Sequence, residues 1–120
     1  MIKKSAEIKE QVIPNFKDGE GSVSIFHFMN EQEVKGMGRL FAKIVVPPGS
    51  SVGAHTHVGD MEAYYILKGK GLLSDNGEEV MVEAGDCNIC NDGEMHSLKN
   101  VGDDDLEYIA IVVYSKQKEL

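Results

Sequence analysis

Three of the four histidines in this chain fall into two short segments, and a glutamate stands with them. His55 and His57 are two residues apart, and on an extended backbone the period of two puts both imidazoles on one face. Four residues then separate His57 from Glu62, enough for a turn that returns a neighbouring strand with its carboxylate beside those rings. His96 lies far downstream in a second glycine-punctuated segment. Imidazole nitrogens and a carboxylate oxygen converging on one point would make a metal site built from strands. Such a set of hard and borderline donors suits manganese, iron, nickel, cobalt or zinc, and disfavours calcium or magnesium. Zinc with four protein ligands would be closed and tetrahedral, whereas a six-coordinate metal would keep two positions for water or substrate.

These residues need strands to carry them, and the chain reads as a series of short ones. Residues 1 to 20 form a polar arm, weakly structured, with Ser5 capping a turn over Ala6 to Gln11 and Pro14 ending it. From Gly21 to Met29 the pattern becomes strand-like, with Val23, Ile25, His27 and Met29 on one face and Ser24, Phe26 and Phe28 on the other. Apolar groups on both faces ask for an outer cover, which a second subunit would supply. His27 has no partner at metal spacing and reads as a hydrogen-bonded core or interface residue.

Glu31 to Gly38 is a loop, and Leu40 to Val46 a strand stopped by Pro47-Pro48-Gly49. Leu40, Ala42, Ile44 and Val46 share one face of it; Arg39, Phe41, Lys43 and Val45 share the other. Arg39 and Lys43 approach a cavity if the second face turns inward, and solvent if it does not. Glu62 to Lys68 is the next strand, with Tyr64 and Ile66 on the side of Glu62. Tyr64 is therefore either a cavity hydroxyl or an aromatic filling the interior. Leu72 to Ser74 and Glu79 to Val82 flank Asn76-Gly77, a strong hairpin signal. Asp86 to Cys90 and His96 to Asn100 are further strands. Leu106 to Tyr114 is almost wholly apolar, as a central strand would be. Cys87 and Cys90 lack a second cysteine pair, and an offset of three on a strand puts them on opposite faces, so they read as reduced structural residues.

The organisation expected is an arm over 1–20, one domain over 21–114 and a solvated tail over 115–120. A formal net charge of −8 with a single arginine argues against a phosphate-backbone partner. Glu7 and Glu10 follow Lys3 and Lys4 where a signal peptide would need an apolar run, and no stretch reaches membrane-spanning length. A cytoplasmic protein is expected. Many short strands at close spacing suit an antiparallel barrel or a jelly roll.

The same residues carry a family resemblance. Gly49, His55, His57, Glu62 and Gly69 meet every position of the first cupin motif, G(X)5HXH(X)3-4E(X)6G. Gly85, Gly93, His96 and Asn100 fit the second, G(X)5PXG(X)2H(X)3N, with Asn91 where that motif has proline. The chain thus resembles the cupins, which implies an all-β fold, an antiparallel jelly-roll β-barrel with little helix. It also implies a homodimer and a divalent metal, manganese or iron by preference, that keeps open positions. Among cupins it is most similar to the small single-domain proteins described as oxalate decarboxylase-like. True oxalate decarboxylases carry an arginine three residues before the first motif histidine, where this chain has Val52. The expected function is metal-dependent binding of a small carboxylate or related oxyanion, with Tyr64 as a positioning or acid–base hydroxyl. The alternatives are a metal-dependent isomerase or dioxygenase, or a non-enzymatic sensor or storage protein.

Overall fold

The computed structural model describes residues 1–117. In chain order its strands are β1 (Glu10–Pro14), β2 (Ser22–His27), β3 (Gly38–Val46), β4 (Ser51–Thr56), β5 (Asp60–Lys68), β6 (Lys70–Asp75), β7 (Glu78–Glu83), β8 (Cys87–Cys90), β9 (Met95–Asn100) and β10 (Leu106–Tyr114), with one helical turn, α1 (Glu31–Val34). They pair antiparallel into two sheets, one of order β1-β2-β3-β10-β5-β8 and one of order β4-β9-β6-β7. Side chains from both sheets form one core, including Ile25, Ile44, Ile66, Tyr108 and Ala110 from the first and Val52, Leu73 and Leu98 from the second. This is the jelly-roll arrangement, with almost no helix.

Period-two burial explains how the sheets face each other. On β3, Ala42, Ile44 and Val46 are buried; on β10, Leu106, Tyr108, Ala110 and Val112 are. β10 sits between β3 and β5, and its alternate residues Ile109, Ile111 and Val113 are apolar as well, so its near-continuous apolar run marks a central strand. The outer face of this sheet is unusually apolar, leaving Tyr65, Leu67, Ile89 and Ile111 exposed. Asn76 and Gly77 both have positive φ, which is the two-residue hairpin geometry, and they join β6 to β7. Cys87 is exposed and Cys90 buried, both as free thiols.

Three expectations need correction. The arm is not weakly structured: β1 pairs with β2 along its whole length at the edge of the six-stranded sheet, where Pro14 is tolerated at the strand's end. Its helical turns are two short 3-10 turns, Ser5–Glu7 and Phe16–Asp18, rather than one turn over Ala6 to Gln11. Glu31 to Gly38 is not wholly loop, because the Asn30 side chain accepts from Glu33 N–H while the Glu33 side chain accepts from Asn30 N–H, a capping box that starts α1. His27 is exposed rather than core, and its Nε2 meets Gln11 Oε1 at 2.9 Å. Of the expected tail, Ser115 to Gln117 are exposed, and residues 118–120 lie outside the described residues.

Candidate metal centre

Glu62 comes from β5 of the six-stranded sheet. The three histidines come from the other sheet: His55 near the end of β4, His57 just past it, and His96 on β9 directly opposite His55. Period two does place His55 and His57 on one face, but only after β4 has broken that period. Val52 pairs with Leu98 and His55 with His96, so three steps on β4 span two on β9. One extra residue at Gly53-Ala54 makes a β-bulge, the device that re-aims side chains near functional sites. In a regular strand Val52 and His55 would face opposite ways; here Val52 is fully buried and the histidines also turn inward.

The N-terminal arm holds that bulge. A 3-10 turn, Phe16–Asp18, packs on it so closely that a Cβ on Gly53 would stand 2.0 Å from Lys17 O and 2.8 Å from Gly19 N. A Cβ on Gly19 would stand 2.2 Å from Ser51 O. Two hydrogen bonds complete the contact, from Ser51 N–H to Glu20 O and from Glu20 N–H to Ser51 Oγ.

The four side chains offer one ligand atom each, all within 4.8 Å of one another. Every histidine presents Nε2. His57 Nε2 and His96 Nε2 each lie 3.0 Å from Glu62 Oε1, His55 Nε2 lies 3.4 Å from it, and His55 and His96 approach Nε2 to Nε2 at 3.0 Å. The opposite ring nitrogens fix why. His55 Nδ1–H donates to Gly53 O at 2.8 Å, His57 Nδ1–H to Asp60 Oδ1 at 2.7 Å, and His96 Nδ1–H to Asn88 Oδ1 at 2.8 Å. With Nδ1 protonated, each neutral ring aims its Nε2 lone pair at the same point. Three ring nitrogens and a carboxylate oxygen at these distances repel one another unless a proton or a metal ion sits among them, and four such donors on one point fit a divalent metal ion.

Burial and charge act together here. Burial alone would raise the Glu62 carboxyl, but the three imidazoles outweigh it and hold it well below the usual carboxylate range. Glu62, with Asp60 second, raises His57 against the opposing effect of burial. His96, the most enclosed ring, is instead pushed down by burial despite Glu62. Asp60 would be raised by burial, yet Arg39 and His57 together bring it below its ordinary value.

Tyr64 does face inward beside Glu62. It is fully buried, and its ring stacks on His96 at 4.5 Å between centroids and 18° between planes, with Tyr108 tilted against it. Burial pushes its hydroxyl well above 10, so the phenol stays protonated. Arg39 and Lys43 lie on the outward alternation of β3. Lys43 sits over the Phe26 ring and 3.7 Å from Glu107, while Arg39 Nε donates to Asp60 Oδ2 at 2.9 Å. Asn100 is a corner brace: its Nδ2 donates to Val46 O and Asp104 O, and its Oδ1 accepts from Gly102 N–H. At Asn91 the main-chain N–H donates to Glu94 Oε1, a bond that proline could not make.

Gly53, Asp60 and Asn88, which orient the three rings, are absent from the sequence-based expectations. A glycine inside a strand pattern is a bulge signal, so Gly53 was findable. Asp60 and Asn88 carried no comparable signal, because what they do depends on strands that are distant in sequence.

Comparison with known proteins agrees with this geometry. The Cupin domain family (Cupin_2) matches residues 42–113. A protein of Thermotoga maritima named "Oxalate-binding protein" is 42% identical over 113 residues, covering 94% of this chain and 93% of its own length. The crystal structure of a predicted oxalate decarboxylase from Thermotoga maritima superposes with a TM-score of 0.91 at 42% identity, covering 95% of this chain and 99% of that one. A Cupin 2 conserved barrel domain protein from Salinispora arenicola shares the fold, with a TM-score of 0.75 at 21% identity, over 96% of this chain and 89% of that one.

Proposed function

Because this chain belongs to the cupin family, we propose that it holds a divalent transition metal, manganese or iron by preference, on His55, His57, Glu62 and His96, and binds a small dicarboxylate such as oxalate beside it. One observation carries the reading: three Nε2 lone pairs and one carboxylate oxygen are aimed at a single point by protonated Nδ1 atoms that are each locked to an acceptor. Imidazole and carboxylate donors suit both metals. When bound, such a metal supplies Lewis acidity toward a chelating oxyanion. Oxalate is named because the Thermotoga maritima relative carries oxalate binding in its name.

Binding is favoured over turnover by what surrounds the centre. Val52, where decarboxylases carry arginine, is buried and registered against Leu98, so no guanidinium is offered from that position. Arg39 is engaged with Asp60 and Lys43 lies near Glu107, so neither takes its place. Tyr64, whose buried phenol stays protonated, supports His96 by stacking, and its hydroxyl, set beside Tyr108, is the candidate hydrogen-bond donor to the ligand.

The test is metal analysis of the purified protein, followed by titration of the manganese form with oxalate, malonate and succinate. Oxalate is expected to perturb the manganese electron paramagnetic resonance spectrum and raise the melting temperature. No response to any of the three would sink the oxyanion reading and move weight to an isomerase, dioxygenase or sensor.

The exposed apolar outer face of the six-stranded sheet, including Tyr65, Leu67, Ile89 and Ile111, supports a homodimer in which a second copy covers it. Sedimentation as a monomer at micromolar concentration would refute that. Two unpaired thiols suit a reducing compartment, and with it a cytoplasmic protein. Among the described residues no helix is long and apolar enough to cross a membrane.

A further inference from the structure

The three ring-orienting acceptors are not alike. His55 donates to a backbone carbonyl and His96 to a side-chain amide, both neutral. His57 alone donates to a carboxylate, and that carboxylate is bound on its other oxygen by the only arginine in the chain. Arg39 starts on β3, two strands away from β5 across the end of β10, so its side chain passes that end to reach Asp60 at the start of β5. Asp60 and His57 are both buried, while Arg39 is half exposed beside a hollow of about 380 Å³ that it lines with Thr56, Val58, Gly59, Asp60 and Tyr114. The segment between His57 and Asp60 is itself pinned. Gly59 N–H donates to Asp92 Oδ1, Ser115 N–H donates to Gly59 O, and Gly93 N–H donates to His57 O.

From this asymmetry we infer that Arg39 and Asp60 form a positioning arm for His57, which fixes its ring and makes it the most electron-rich of the three histidine ligands. A carboxylate behind a ligating imidazole locks the tautomer and strengthens the donor nitrogen, and loss of such a partner costs about 10–100-fold in metal affinity. Arg39 does not touch the ligand atoms. It binds Asp60 Oδ2, which leaves Oδ1 turned to His57, and it acts through Asp60 alone. Two candidate cations named from the sequence are thereby separated: Lys43 belongs to the outer surface, and Arg39 to the support of the centre.

The inference rests on the metal reading above, and the experiment distinguishes the two. Metal-free wild type, Asp60→Ala, Asp60→Asn, Arg39→Gln and the Arg39→Gln/Asp60→Ala double variant are titrated with Co²⁺, whose absorption bands report the ligand field. Melting of each metal-free form is recorded alongside. Asp60→Ala should lose about 10–100-fold in Co²⁺ affinity. Asp60→Asn, isosteric and still an acceptor, should recover part of that loss while its bands remain shifted from wild type. Arg39→Gln should lose affinity less than Asp60→Ala, and the double variant should bind no more weakly than Asp60→Ala, because two residues acting through one contact are not additive. A merely structural ion pair would lower the metal-free melting temperature and leave affinity and bands of the folded protein unmoved; that result overturns the inference. Equal and additive losses from the two single variants overturn the part assigned to Arg39. If Asp60→Ala does not fold, unshifted bands in Asp60→Asn are the overturning result. Failure of wild type to bind Co²⁺ would overturn the metal reading itself.

Discussion

Gly53→Ala adds a single methyl group, and the structure says where that group must go. Its Cβ would lie 2.0 Å from Lys17 O, roughly 1.5 Å inside the ~3.5 Å at which non-bonded heavy atoms rest. Gly19 N is 2.8 Å away on the same side, so the obstruction is backbone and cannot rotate clear. The backbone of Gly53 itself is within reach of any residue, because it is not among the positive-φ glycines. The cost is therefore steric, and overpacking against two main-chain groups belongs at the upper end of the usual range, about 3 kcal/mol. For a chain of this size that corresponds to a fall in melting temperature of about 10 °C. Gly77→Ala is the control: its φ is +89° with no atom within 4 Å of the new Cβ, so it meets no steric block and costs about 1–2 kcal/mol for the left-handed backbone alone. The two variants should also separate in function. Gly53 carries the carbonyl that orients His55, so metal affinity should fall in Gly53→Ala and hold in Gly77→Ala. Calorimetry of the metal-free proteins and metal titration of both would decide. A Gly53→Ala protein that melts with wild type and binds metal unchanged would refute the reading of the arm as a clamp on the bulge.

Other expectations follow from the same geometry. His57→Ala should bind far less metal, and added metal should then no longer raise its melting temperature, as read by metal analysis and calorimetry; full occupancy with unchanged affinity would remove His57 from the ligand set. Cys90, buried and with its thiol pushed up to about 11, should react with a thiol reagent at pH 8 only on unfolding, while Cys87, on the outward face of Tyr65 and Ile89, should react fast in the monomer and slowly where a second copy covers that face. Metal binding should release protons near neutral pH. The raised His57 keeps a proton above the ordinary histidine value of about 6.5, and metal must displace it, so affinity should rise with pH through that region; calorimetry in buffers of different ionisation enthalpy would count the protons.

Sequence reasoning reached the four residues that the fold brings together, and the strands that carry them, for a physical reason. His55, His57 and Glu62 are local, and their spacing is a statement about period-two backbone. Leu106 to Tyr114 came out with the bounds the structure gives, because a doubly apolar run has one explanation in an all-β chain. β1 escaped because Glu10 to Pro14 is a short edge strand, and an edge strand facing solvent needs little apolar content to pair. Capping at Asn30 and Glu33 was legible in principle, although a four-residue helix leaves no periodicity behind it. The orientation of Arg39 was left open for good reason: alternation fixes which residues share a face, and only the fold decides that this face is the outer one.

The four candidate ligands are divided between the sheets, with Glu62 on the six-stranded sheet and the histidines on the four-stranded one. The three histidines could hold a cation by themselves but without the neutralising carboxylate, so the full donor set, and with it the highest affinity, arises only once the two sheets have closed on each other. In kinetic terms the ion is then a late arrival. It contributes little to a transition state in which the sheets are not yet in register, and its stabilisation appears in the unfolding rate rather than the folding rate. Loading the protein should leave the refolding limb of a chevron where it was and move the unfolding limb down. A cation bound there would act as a latch on a finished structure, and the lifetime of the folded protein should then follow metal supply.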